Sequence, residues 1–119
     1  MSNRDFALFF ASLQFEDSPH FSPERIVSVL GVNKKDLAEI CGVRVSKFRQ
    51  SPTASDVQRS LRDLGRVLGA AYPSFGDERQ LVFWFKNCPI APCAFKTPAE
   101  LCAQGRATEV VECIATGRC

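Results

Sequence analysis

Apolar residues recur at helical spacing along most of this chain. Phe6, Phe9, Phe10 and Leu13 fall at i, i+3, i+4 and i+7, which predicts an amphipathic helix near the start. Asp17-Ser18-Pro19-His20 interrupts it. Ser22 then reads as an N-cap with Pro23 at the first helical position, Ile26, Val27, Val29 and Leu30 follow, and Gly31 ends the helix. Lys34 to Cys41 is the next helix, with Leu37, Ala38 and Cys41 inward. Gly42-Val43 makes a turn, and a short helix runs from Arg44 or Val45 to Gln50 with Phe48 in the core.

After the linker Ser51-Pro52-Thr53, the stretch Ser55-Asp56-Val57-Gln58 fits a capping box. It opens a long helix whose Val57, Leu61, Leu64, Leu68 and Ala71 keep one apolar seam, while Arg59, Arg62 and Arg66 share another face. Pro73 stops it. Asp77 to Lys86 is a further helix that ends in Leu81, Val82, Phe83, Trp84 and Phe85, and core packing is the expected role of its aromatics. Residues 87–96 carry two prolines and no period, so they form an ordered loop. Thr97-Pro98-Ala99-Glu100 combines a cap, Pro at N1 and Glu at N3, a strong helix start. Gly105 stops that helix, and a last one carries Val110, Val111, Cys113 and Ile114 up to Gly117. Strand alternation is weak throughout. The expected fold is all-α, a helical bundle without internal repeats.

Net charge over the 119 residues is +2, and its distribution matters more than its sum. Residues 1–33 are net −2, residues 34–66 net +4 and residues 67–119 neutral. The positive excess therefore lies on the Lys34–Gln50 hairpin and the helix after it, where a local basic surface attracts phosphate. In a hairpin that reads DNA, the leading residues of the second helix and the position one turn on reach base edges. That selects Val45, Ser46 and Gln50 for base contact, since Gln pairs with adenine edges and Val meets a thymine methyl. Lys34, Lys35, Arg44, Lys47 and Arg49 suit phosphates.

Six cysteines require a decision. The opening MSNRDFALFFASLQF lacks a basic leader, and no apolar run approaches the roughly 20 residues that span a bilayer. A cytoplasmic chain with no membrane span is expected, with cysteines that are reduced and used as small apolar residues. Cys88 and Cys93 are spaced C-x4-C, wider than the usual zinc pair, and His20 is remote from them, so neither a metal nor a cofactor is expected. No nucleophile elbow, P-loop or dinucleotide fingerprint occurs, and catalysis is not expected.

The hairpin LAEICGVRVSKF (37–48) resembles the Xre-type helix-turn-helix of phage repressors and many antitoxins. Arg44 stands where that pattern usually has a capping Ser or Thr, and Phe48 replaces Ile or Val. Downstream, WFKNCPI (84–90), FKTPAEL (95–101) and GRATEVVECIATG (105–117) follow in the order and spacing of the toxin-binding domain of Xre/MbcA/ParS-type antitoxins. The resemblance covers about residues 22–119. It departs at Cys93-Ala94, where Gly-rich sequence is usual around Phe95.

Residues 1–21 form an N-terminal amphipathic segment outside the matched region, and the resemblance implies a helix-turn-helix region with its long linking helix at 22–72 and a toxin-binding domain at 73–119. It implies an antitoxin of a type II module whose toxin has a RES domain and consumes NAD⁺, with the antitoxin's C-terminal region occluding the toxin's active site. Carried over, Ile114, Thr116, Gly117, Arg118 and Cys119 become the toxin-binding candidates. Operator DNA is the second expected partner, read by a homodimer. A free-standing regulator without a toxin is the alternative. The N-terminal Phe stripe either covers the core or forms a dimer surface.

Overall fold

A computed structural model describes residues 3–75 and 77–117, with backbone only for residues 3–6. Eight α-helices follow one another among these residues: α1 (Asn3–Ala11), α2 (Pro23–Leu30), α3 (Lys34–Cys41), α4 (Lys47–Gln50), α5 (Ser55–Ala71), α6 (Glu78–Asn87), α7 (Pro98–Ala103) and α8 (Ala107–Ala115). Single 3-10 turns lie at Tyr72–Ser74 and Ala91–Cys93. The fold is all-α, and the described residues contain no strand beyond the isolated bridges Gln14–Phe21 and Ile90–Lys96. None of the described helices is long and apolar enough to cross a membrane.

α5 is the axis around which the others pack, with α8 along it and α1, α3, α6 and α7 around it. The expected seam is entirely buried, and Val67 widens it. At roughly 1.5–3 kcal/mol per fully buried aliphatic side chain, this one helix supplies a large share of the core energy. Gly65 lies where a Cβ would meet Phe21 Cε1 at 3.2 Å, so the missing side chain lets that ring seat against the helix. Phe10 meets Phe21 edge-on, with centroids 5.2 Å apart, and Phe9 stacks on Tyr72 at 4.6 Å. Phe9 and Leu13 are buried, so this part of the N-terminal stripe covers the core. The side chain of Phe6 lies outside the described residues.

Most helix ends follow local chemistry. Ser22 accepts from the Arg25 amide with Pro23 at N1. Thr97 and Glu100 form the reciprocal capping box, with Thr97 Oγ1 accepting from the Glu100 amide at 3.1 Å and Glu100 Oε1 accepting from the Thr97 amide at 3.0 Å. One start differs from expectation. Ser55 is already the first helical residue of α5, its N-cap is Ala54, and no side chain caps it. Gln58 is instead buried one turn into the helix. Its Oε1 accepts from the Phe21 amide at 2.8 Å, and its Nε2 donates to the carbonyls of Phe21 at 2.9 Å and Pro52 at 2.8 Å. The residue that resembles a cap partner is a clamp across the approach to α2 and the linker before α5.

The 87–96 loop is ordered around Ile90, which is buried and whose carbonyl accepts from both Cys93 and Phe95. Ala94 (φ 58°) and Phe95 (φ 61°) occupy the left-handed region in succession, at the place where the sequence lacks the expected glycine. A left-handed L-residue costs about 1–2 kcal/mol. Ala94→Gly is therefore expected to stabilise the fold by about 0.5–1 kcal/mol after the extra unfolded-state entropy of glycine is subtracted. Urea denaturation checks it, and a fall in the midpoint would contradict the strain.

Candidate nucleic-acid interface and aromatic groove

α3 begins at Asn33, whose side chain accepts from the Asp36 amide at 2.8 Å. It ends at Gly42 (φ 68°, ψ 30°), where the Val43 amide reaches back to the Ala38 carbonyl at 3.1 Å. Only a residue that tolerates positive φ can turn the chain this way, which is why glycine is needed there. The expected second helix is shorter than its pattern. Arg44 to Ser46 form a turn, and α4 covers only Lys47–Gln50. No side chain caps it: Ser46 is in the N-cap position without a side-chain bond, and Arg44 has no hydroxyl to offer. Pro52 disfavours helix at Ser51 and closes the other end. Phe48, 1% exposed, holds α4 to the core.

Val45 (47% exposed), Ser46 and Gln50 all reach solvent. The five phosphate candidates divide. Lys34 is paired with Glu24 at 3.0 Å, and Lys47 is paired with Asp56 at the start of α5. Each lysine holds its partner carboxyl below the usual range, through the hydrogen bond first. Lys35, Arg44 and Arg49 are exposed and have no ion-pair partner among the described residues. The sequence pattern did not reveal these pairings, because Glu24 and Asp56 lie on other helices.

The C-terminal candidates are only partly brought together. Ile114 and Gly117 line a groove of about 340 Å³ with Phe75, Trp84 and Cys88. Thr116 is exposed, but its hydroxyl donates to the Glu112 and Cys113 carbonyls at 3.0 and 3.2 Å, so it closes α8. Arg118 and Cys119 lie outside the described residues. A larger open groove of about 780 Å³ adjoins, sharing Phe75, Trp84 and Cys88 and adding Asp77, Arg79, Gln80 and Phe83. Phe75 and Trp84 form its tilted aromatic floor, with centroids 5.7 Å apart.

Phe83 corrects the expectation that the α6 aromatics are core residues. Leu81 and Phe85 are fully buried and Trp84 is half-buried, yet Phe83 is 67% exposed. At 100° per residue, Phe83 stands about 180° from the Leu81–Phe85 seam, a signal present in the sequence but masked by reading 81–85 as one apolar patch.

Cys41 and Cys102 have thiol pKa values pushed up to about 12 by burial. They are poor nucleophiles in this state. Cys113 departs from the expectation of reduced thiols: it is disulfide-bonded, while Cys41, Cys88, Cys93 and Cys102 are free. Among the described residues no group of three or more His, Cys, Asp or Glu side chains converges on a metal-sized site. Compared with protein-family models, curated proteins and solved structures, the chain matches none.

Proposed function

We propose that this chain is a DNA-binding antitoxin. In this reading, dimers place the α3–α4 hairpin in the major groove of their own operator, and a cognate toxin docks on the C-terminal part of the fold. The observation that carries the reading is the exposed set Val45, Ser46 and Gln50, which with Arg44 and Arg49 spans the turn before α4 and the short helix itself, whose position is fixed by Phe48. An exposed valine near Arg44 and Arg49 in sequence, both without an ion-pair partner among the described residues, suits a thymine methyl between phosphates.

The toxin half of the proposal rests on the resemblance stated above, and the Trp84 groove supports it. An open aromatic groove that includes Ile114 and Gly117 suits a protein partner, because large exposed aromatics are enriched in interface cores. The toxin expected is a RES-domain NAD⁺ hydrolase, held inactive by contact with Ile114, Gly117 and the residues after them.

Purification of an N-terminally tagged chain from its native host tests both halves. The expected result is a stoichiometric partner that consumes NAD⁺ only after this chain is removed, in a complex that retards a fragment of its own promoter. Gln50→Ala is expected to weaken binding to that fragment by about 1–3 kcal/mol and leave non-specific DNA binding unchanged. Recovery of the chain alone, still binding the promoter, would leave a free-standing regulator. No promoter affinity even at low salt would remove the DNA half.

A further inference from the structure

The outer face of α5 carries arginines that the DNA-reading hairpin leaves unexplained. Between residues 42 and 71 the carboxylates are Asp56 and Asp63, and both are consumed within the fold. Asp56 pairs with Lys47 of α4, and Asp63 pairs with Arg66 at 3.3 Å. Four arginines in the same stretch, Arg44, Arg49, Arg59 and Arg62, are exposed and have no carboxylate partner among the described residues. Arg44 precedes α4 and Arg49 lies within it, whereas Arg59 and Arg62 stand on α5.

The Lys47–Asp56 pair fixes how these two sets relate. It ties α4 to the first turn of α5. Gln58 reinforces the junction by holding the Pro52 carbonyl in the linker between them. Arg59 is one helical turn beyond Asp56 and Arg62 nearly one more, about 4.5 and 9 Å along the axis at 1.5 Å per residue. The Arg59–Arg62 step of three residues keeps both on one side of α5, away from the buried Val57–Leu61–Leu64 seam. The basic surface thus continues from α4 along α5 without an unpaired carboxylate on either helix.

We propose that Arg59 and Arg62 form a second phosphate-binding element, clamping the DNA backbone beside the groove that α4 enters. The ligand is the phosphodiester backbone, so the contribution is independent of base sequence. It supplements a reading helix of four residues, which is too short to anchor itself on DNA through many contacts of its own. The inference rests on the DNA-binding reading above, and its test separates the two.

Affinity for a promoter fragment is measured across salt concentrations for the wild type and for Arg59→Ala/Arg62→Ala. Each lost phosphate contact removes about 0.9 from the slope of log affinity against log salt. The double variant is expected to show a slope shallower by roughly 2. Between 50 and 200 mM salt it should lose about twelve-fold less affinity than the wild type over the same range. Arg59→Lys/Arg62→Lys should keep the wild-type slope, because a phosphate contact needs the charge. These exposed substitutions are expected to preserve the fold, which the melting temperature checks. A wild-type slope in the double alanine variant would overturn the clamp while leaving the hairpin reading intact. A wild-type protein without DNA affinity would overturn both.

Discussion

Gln58→Leu is expected to lower the melting temperature by roughly 12 °C, although it replaces a buried polar side chain with an apolar one of similar size. The amide of Gln58 satisfies the amide and carbonyl of Phe21 and the carbonyl of Pro52. Leucine would leave these backbone groups without partners. A buried group that loses its partner costs about 1–3 kcal/mol, and Pro52 is only half-buried, so a total of about 3 kcal/mol is reasonable. A chain of this length unfolds with an entropy that turns each kcal/mol into about 4 °C.

Gln58→Glu separates hydrogen bonding from packing. The carboxylate can still accept from the Phe21 amide, but it faces the two carbonyls that the wild-type Nε2 serves. Its folded-state pKa would be raised above the unfolded value. The stability it contributes is then present below the unfolded carboxyl pKa and lost as pH rises through the folded one. The glutamate variant should accordingly be relatively more stable at acid pH than at neutral pH. A leucine variant melting within a degree of wild type would show that the clamp does not hold these segments.

Gln58 also shows where sequence legibility ended. The helices announced themselves through local chemistry. Ser22-Pro23 and Thr97-Pro98 open α2 and α7 as written, and Gly31, Gly42, Gly105 and Gly117 all adopt positive φ at the ends they mark. Ser55–Gln58 has the same spacing as a capping box, yet whether Gln58 turns back to its own helix start or inward to Phe21 depends on a segment 37 residues away. Pairing of Lys34 with Glu24 and of Lys47 with Asp56 was hidden for the same reason. Local pattern fixes which residues are basic, but tertiary structure decides which basic groups stay unpaired.

The groove had a different history. Its Ile114 and Gly117 came from the family resemblance, while Phe75, Arg79 and Phe83 were missed. Phe83 was accessible to a stricter reading of helical phase. Phe75 was not, because it follows a 3-10 turn and takes its place only when α6 folds back beside it. In the hairpin, the exposure of Val45, Ser46 and Gln50 was legible, but the start of α4 was not. An uncapped start leaves Val45 and Ser46 in the turn.

Phe48→Ala is expected to cost about 4 kcal/mol, within the range for truncating a buried phenylalanine, and to lower the melting temperature by roughly 16 °C. Its functional effect should exceed what the lost stability alone produces. α4 has four residues and no side-chain cap, far below the length at which a helix holds itself. Its shape is therefore supplied by Phe48 in the core and by Lys47 on Asp56. Without the ring, Val45, Ser46 and Gln50 no longer share a fixed surface. Operator affinity should fall to the non-specific level at temperatures where the variant is still folded, and amide exchange at Phe48–Ser51 should accelerate ahead of exchange in α5. Phe48→Leu keeps an apolar anchor and should retain most of the specificity with a smaller stability loss. A folded Phe48→Ala protein that still distinguished its operator from other DNA would place base reading elsewhere, because Phe48 is the buried anchor of the four-residue helix that carries Gln50 and follows Val45 and Ser46.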